Sequence, residues 1–202
     1  MIALIDYGAG NLTSVRKGFT AVGASVFTPA TPSELTRASA IVVPGVGHFG
    51  ATAAISPDWR QAIHRAIDAG VPLLGICLGL QWLFDGSDEA PGVRGLGLIP
   101  GTCARIDAAL PLKVPHVGWN ALAVRRRSPV LDGVEDGVTM YFTHTFAAPT
   151  TDACIATATH GETFCAAVST GRVHGVQFHP EKSGAAGLRV LRNFVSTAAH
   201  AV

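Results

Sequence analysis

The sequence predicts an α/β fold, a mostly parallel open sheet flanked by helices with an added antiparallel β region. Three observations carry that expectation. Apolar strand patterns alternate with helical ones through the first half, which implies right-handed crossovers and a parallel sheet. Charged residues make up only 14% of the 202 residues, against ~25% in an ordinary soluble domain. The 48% hydrophobic content then fits strands buried on both faces, a large face covered by a permanent partner, or both. The length suits one domain, taken as residues 1–202.

Each element has its own signal. Met1 to Tyr7 is apolar until Asp6 and reads as the first strand, ending at Gly8-Ala9-Gly10. Asn11 or Thr13 is placed to cap a helix running to about Val22, with Gly23 as its stop. A short strand at Ser25 to Phe27 follows, then a Thr- and Pro-rich turn. Ala38 to Val43 is a buried strand closed by Pro44-Gly45-Val46-Gly47. Trp59, Ile63, Ala66 and Ile67 carry helical spacing, so a helix is expected from Trp59 to Ala69, ended by Gly70. Val71 to Ile76 is the next buried strand, running into Cys77 and a helix to about Phe84.

From Gly92 the chain changes character. Glycine and proline become frequent, and β-rich runs stand at Met140–Phe142, Cys154–Thr157, Phe164–Val168 and Val173–Phe178. They read as antiparallel strands and hairpins appended to the first sheet. A last helix, Ala185 to about Ala199, places Leu188, Leu191, Phe194 and Val195 on one face.

Composition excludes several classes of function. Fifteen Lys+Arg against fourteen Asp+Glu leave a formal charge of +1, which supplies no cationic face for nucleic acid or an anionic membrane. Arg125-Arg126-Arg127 reads as a solvated loop. The longest nearly apolar run, Val71 to Phe84, is interrupted by Gln81 and falls short of the ~18 residues of a membrane span. The start of the chain lacks the basic and apolar regions of a signal peptide, so a cytoplasmic protein is expected. Cys77, Cys103, Cys154 and Cys165 have no close-pair spacing, so neither a zinc site nor a disulfide framework is expected. No metal or organic cofactor is called for. His48, His64, His160, His174 and His200 have no matching partner motif.

One cysteine is different. Gly75-Ile76-Cys77-Leu78-Gly79 sets a potential nucleophile between two glycines at a strand-to-helix junction. Such an elbow holds the nucleophile in a strained conformation, and small neighbours let strand and helix approach closely. The helix start favours a thiolate, and the Leu78 amide is placed to meet an oxyanion. A buried structural cysteine beside glycines would look the same from this motif alone. Gly175-Val176-Gln177-Phe178-His179-Pro180-Glu181 adds the base a cysteine needs. In an extended segment, residues two apart share a side, so Glu181 would hold the ring of His179. Pro44-Gly45-Val46-Gly47 after the third strand would complete an oxyanion hole through the amides of Val46 and Gly47, beside that of Leu78. Taken by itself, that stretch equally fits a plain tight turn.

Together these motifs resemble the class I (triad) glutamine amidotransferases over essentially the whole chain, a family with a flavodoxin-like core. Asp6-Tyr7-Gly8-Ala9-Gly10-Asn11-Leu12, Pro44-Gly45-Val46-Gly47, Pro115-His116-Val117-Gly118-Trp119-Asn120, Tyr141-Phe142-Thr143-His144-Thr145-Phe146 and Glu181-Lys182-Ser183 look like the glutaminase subunits of imidazole glycerol phosphate synthase. Phe146 departs from the tyrosine usual there.

The resemblance implies that Cys77, His179 and Glu181 hydrolyse L-glutamine to glutamate and ammonia. It implies that Gln81, Thr143, His144 and Thr145 hold the glutamine. It also implies a separate (β/α)₈ cyclase subunit, reached through a channel for ammonia and contacted by Asn11, Trp119, Tyr141 and Lys182. There phosphoribulosyl-formimino-aminoimidazole carboxamide ribonucleotide becomes imidazole glycerol phosphate and the aminoimidazole carboxamide ribonucleotide. Two other readings stay open: a glutaminase serving anthranilate, aminodeoxychorismate or pyridoxal phosphate synthesis, and a regulatory paralogue with an idle triad.

Overall fold

The computed structural model describes residues 1–109 and 111–199, so His200 lies outside the described residues. The first half runs β1 (Ile2–Leu4), α1 (Leu12–Ala21), β2 (Val26–Phe27), β3 (Ala40–Val43), α2 (Pro57–Asp68), β4 (Leu73–Ile76) and α3 (Leu78–Trp82). The second half adds β5 (Gly86–Ser87), β6 (Thr102–Arg105), β7 (His116–Ala121), β8 (Ala123–Val124), β9 (Thr139–His144), β10 (Phe146–Ala147), β11 (Cys154–His160), β12 (Glu162–Thr170), β13 (Val173–Val176) and α4 (Gly184–Ala199).

Eight strands form the main sheet in the order β2-β1-β3-β4-β13-β12-β11-β8. The first five run parallel, and β12, β11 and β8 continue the sheet antiparallel. Counted by chain order, the parallel strands are 2-1-3-4-5, the flavodoxin-like doubly wound arrangement. The expected fold class is therefore observed.

Side-chain alternation explains why the strands are apolar throughout. Ile2, Leu4, Val42, Leu74 and Ile76 face one core, where Val15 and Phe19 of α1 meet Leu191 and Phe194 of α4. Ala3, Ile5, Ile41, Val43 and Leu73 face the other, with Ile63 of α2 and Leu80 of α3. Neither face of the central strands meets water, so both are apolar apart from the buried His174 of β13. Among the described residues no helix is long and apolar enough to cross a membrane.

Some expectations need correction. Val173–Phe178 is not a purely antiparallel strand: β13 pairs parallel with β4 and antiparallel with β12, which makes it the seam between the two regions. The Met140–Phe142 run is not appended to the main sheet, because β9 pairs with β7 in a separate two-stranded ribbon. The motif around Trp119 lies on β7. The helix after Cys77 stops at Trp82 rather than Phe84. An incoming loop takes the carbonyls at and just past its end, Leu96 N–H donating to Trp82 O and Gly97 N–H to Phe84 O.

Candidate active site at the carboxyl ends of β4 and β13

The parallel pairing of β4 with β13 places the end of one beside the end of the other, with Gly175 opposite Gly75 and Val176 opposite Ile76. Cys77 follows the first and His179 closes the second. Such a crevice outside the carboxyl ends of parallel strands is where doubly wound sheets carry their sites.

Cys77 has φ 55° and ψ −106°, and among the described residues it alone takes a positive φ without being glycine. The two flanking glycines permit this. A Cβ at Gly79 would strike the Val43 carbonyl, and one at Gly75 the Gly79 carbonyl. The strain at Cys77 costs on the order of 1–3 kcal/mol and is held by the surrounding sheet. Helix α3 spans five residues, so its dipole is a minor influence, smaller than the sequence suggested.

His179 is buried, and its Nδ1 lies 2.8 Å from Glu181 Oε1. A carboxylate only accepts, so Nδ1 carries the hydrogen and Nε2 is left for chemistry. The expected reason for this contact needs correction. Glu181 lies not in an extended segment but in a 3₁₀ turn, Pro180–Lys182, that Pro180 opens and that curls the carboxylate back under the ring. Ser183 secures the turn: its hydroxyl donates to His179 O at 2.6 Å and accepts from Tyr141 N–H at 3.0 Å. Burial alone would lower the His179 pKa. The Cys77 sulfur and the Glu181 carboxylate outweigh it and push it up to about 9. Nε2 has no hydrogen-bond partner of ordinary geometry, so the sulfur acts on it by proximity and charge.

Beside the sulfur lies a cavity of about 230 Å³. Gly47, Leu78, Gln81, Thr143, His144 and Thr145 line it, with Cys77. Glu89, Pro115 and Phe146 complete the wall. Val46 is not on it and is 36% exposed. A larger cleft of about 510 Å³ near Arg172 and Asn193 has no cysteine among its described lining residues.

The oxyanion segment is arranged unlike the rest. Leu78 N–H, the donor expected to face the reaction, instead points to Gly45 O at 3.4 Å. That separation is long for such a bond, so breaking it costs little. Tyr7 ties down the segment's start, its hydroxyl donating to Pro44 O at 2.7 Å. Burial and the nearby sulfur both raise the Tyr7 pKa, which keeps the phenol protonated. Gly47 has φ 103°, a backbone state open to glycine.

A layer of histidines backs the cavity. His144 Nδ1 donates to Phe146 O, and His116 Nδ1 meets His144 Nε2, each at 3.0 Å. Asn120 Nδ2 closes the row on His116 Nε2 at 3.3 Å. Burial, joined by the adjoining histidines, lowers the pKa of His116 to about 4 and of His144 to about 3. Both rings are neutral at pH 7. Phe146 acts here through its main-chain carbonyl, a role that needs no tyrosine hydroxyl.

The expected interface residues are exposed or half-buried, and none lines the cavity. Trp119 is 58% exposed on β7, its ring edge-on to Tyr141 at 6.1 Å, and Lys182 Nζ stands 5.6 Å over the Tyr141 ring. Asn11 caps α1, its side chain accepting from Ser14 N–H at 3.0 Å.

Residues 3–198 match the family model for glutamine amidotransferase class-I. The chain is 47% identical over 196 residues to imidazole glycerol phosphate synthase subunit HisH of Methanothermobacter thermautotrophicus, covering 96% of this chain and 98% of that one. The chain belongs to the class I glutamine amidotransferases, among their HisH members. It is 42% identical to imidazole glycerol phosphate synthase hisHF of Arabidopsis thaliana, with 96% of this chain matching 34% of that longer protein. Among solved structures, PurLQS from Thermotoga maritima superposes with a TM-score of 0.76 at 18% identity, over 96% of this chain and 97% of the other. The Trypanosoma brucei CTPS glutaminase domain with bound acivicin gives 0.67 at 17%, over 98% and 93%. These two show the shared fold.

As a member of this family the chain is an enzyme, a glutamine amidotransferase. Two groups outside the expected site residues stand here, one on the cavity wall and one against the sulfur. Glu89 is the one carboxylate among the described lining residues, and its Oε2 also accepts from Phe49 N–H at 2.6 Å. Gln177 is fully buried and donates to Cys77 Sγ at 3.5 Å. The first sits in an unremarked Asp88-Glu89 pair. The second was in plain view inside the His-Pro-Glu motif, and only the missing strand pairing hid it.

Proposed function

We propose that this chain, acting as one domain over residues 1–202, is the glutaminase subunit of an imidazole glycerol phosphate synthase. The observation that carries the chemistry is Cys77, in a strained elbow, next to an imidazole whose far nitrogen is held by Glu181 at 2.8 Å. An imidazolium beside a sulfur favours the thiolate, which is the nucleophile. The thiolate attacks the side-chain carbonyl carbon of L-glutamine and forms a tetrahedral oxyanion. His179, pushed up to about 9, still carries the proton at pH 7 that the departing ammonia requires. A water then gives a proton to the neutral imidazole as its oxygen attacks the thioester, and glutamate leaves with the thiolate restored. Glu181 orients the ring throughout. Gln81, Thr143, His144 and Thr145 surround the substrate side chain, and Glu89 supplies the anionic partner for its α-ammonium.

Two donors complete the oxyanion hole, and both depend on one peptide. Rotating the Gly45–Val46 peptide withdraws the carbonyl that occupies Leu78 N–H and turns the Val46 amide inward. The isolated chain is thus held slow, and a partner that favours the rotated state switches it on. The partner proposed is a (β/α)₈ cyclase chain contacting Trp119, Tyr141, Lys182 and the Asn11 end of α1. Tyr141 is suited to report its arrival, since its backbone bonds both His179 N–H and Ser183 Oγ. Ammonia passing directly to that partner would serve histidine biosynthesis and avoid protonation in water. No metal or organic cofactor takes part. The test is glutamate release with and without the cyclase chain and its nucleotide. Stimulation mainly in kcat is expected, because a donor gained at the transition state leaves substrate affinity little changed. Stimulation by an anthranilate or aminodeoxychorismate synthase chain instead would overturn the assignment.

A further inference from the structure

We infer that Gln177 is a catalytic residue whose side-chain N–H holds the Cys77 sulfur as a thiolate. The inference rests on Cys77 being the nucleophile and adds to it a group outside the triad.

The orientation of the carboxamide is fixed by a chain of bonds. Phe146 O can only accept, so the end of Gln81 that meets it at 2.7 Å is Nε2. The same Nε2 reaches Gln177 at 3.1 Å and must find an oxygen there. Gln177 Oε1 therefore faces Gln81, and its NH₂ is left to face Cys77 Sγ at 3.5 Å. A flipped Gln177 would set NH₂ against NH₂ on one side and an oxygen against sulfur on the other. The remaining contact to the sulfur, Thr143 O at 3.9 Å, can accept from a thiol but offers nothing to an anion.

The sulfur thus has an acceptor when protonated and a donor when charged. Gln177 is 0% exposed and Gln81 4%, so neither side chain has water to substitute for these bonds. The backbone keeps Gln177 in register, its N–H donating to Ala166 O of β12. The segment that follows β13 thus brings two groups to the sulfur, the Gln177 amide by a hydrogen bond and the His179 ring by proximity.

The test is the pH profile of Cys77 alkylation by iodoacetamide in the intact chain, followed by mass spectrometry of the Cys77 peptide. In this reaction the S–C bond forms as iodide leaves, and glutamine turnover is not involved. Gln177→Met keeps length and burial but removes the donor. A hydrogen bond to a charged group makes a midpoint shift of about one pH unit upward the expected result. A more basic thiolate is also more nucleophilic, so the alkaline plateau should rise about threefold while the rate at acidic pH falls about threefold. Gln177→Glu, with a carboxylate against the sulfur, should shift the midpoint further in the same direction. Packing damage alone would not produce a higher plateau. Should the Gln177→Met profile superpose on that of the unaltered chain, the inference is wrong, whatever happens to activity. If neither variant folds, the side-chain amide protons of Gln177 decide it by NMR. They should move as Cys77 titrates and stop moving in Cys77→Ala, and a position independent of that titration would overturn the role. Full glutaminase activity in Cys77→Ser would be a different failure, that of the nucleophile assignment itself.

Discussion

The nucleophile side and the oxyanion side of this cavity stand in different states of readiness. Around the ends of β4 and β13, the carboxylate already holds the imidazole and a buried glutamine already meets the sulfur, while the Ser183 hydroxyl secures the turn that carries them. At the end of β3, the Leu78 amide is occupied by the Gly45 carbonyl and Val46 faces solvent. The first side is built from strand ends locked in a ladder, so it has one arrangement. The second is a glycine-flanked loop tied down at Pro44, and the proposed function asks it to take a second arrangement. A site made this way is rigid where protons must be aligned and movable where activity must be withheld.

Breaking the rigid side should have the largest effect. Cys77→Ser is expected to lower kcat at least ~10³-fold with an unchanged circular dichroism spectrum, because a hydroxyl is a far weaker nucleophile near neutral pH. Activity within a few-fold of the unaltered chain would end the assignment. Next comes the movable side. Val46→Pro removes the amide that the rotated peptide would present. The stimulation by cyclase and nucleotide should then fall ~10²–10³-fold, the usual worth of one oxyanion donor. Full stimulation in that variant would move the switch elsewhere.

A smaller change sharpens the role of the brace. His179 must be protonated to release ammonia, and its pKa is raised partly by Glu181. Activity should therefore decline as pH rises past about 9. In Glu181→Gln the alkaline limb should move to lower pH, with a loss milder than in His179→Ala. A pH–rate profile whose alkaline limb ignores the substitution would deny Glu181 that influence.

The smallest effect concerns stability. His116 and His174 are each pushed down to about 4, chiefly by burial, while the unfolded chain protonates them near 6.5. As pH falls below 6.5 the unfolded state binds more protons, so native stability is lost progressively until the folded values near 4 are reached. Each contributes a loss on the order of 1–2 kcal/mol by pH 5. Urea unfolding at pH 7.5 and 5 should show the decline, and His174→Gln should flatten it. An equal slope in that variant would assign the acid sensitivity to other groups.

Much of this was legible in the chain itself. Uniformly apolar strands alternating with helical patterns fixed a parallel sheet, because strands buried on both faces leave no place for polar residues. Gly75 and Gly79 around Cys77 suggested an elbow, and the structure gives the reason, since a side chain at either would collide with a carbonyl. His-Pro-Glu supplied a base and its holder within one turn, whose local reach is short. Strand partners were not legible, because a run such as Val-His-Gly-Val is equally suited to a parallel or an antiparallel neighbour. Only the tertiary structure decided that β13 lies against β4, and that pairing brings Gln177 and His179 to the sulfur from a hundred residues away. The tertiary structure also decided which way the Gly45–Val46 peptide points. Both orientations satisfy the local sequence, and the contact with the Leu78 amide selects between them.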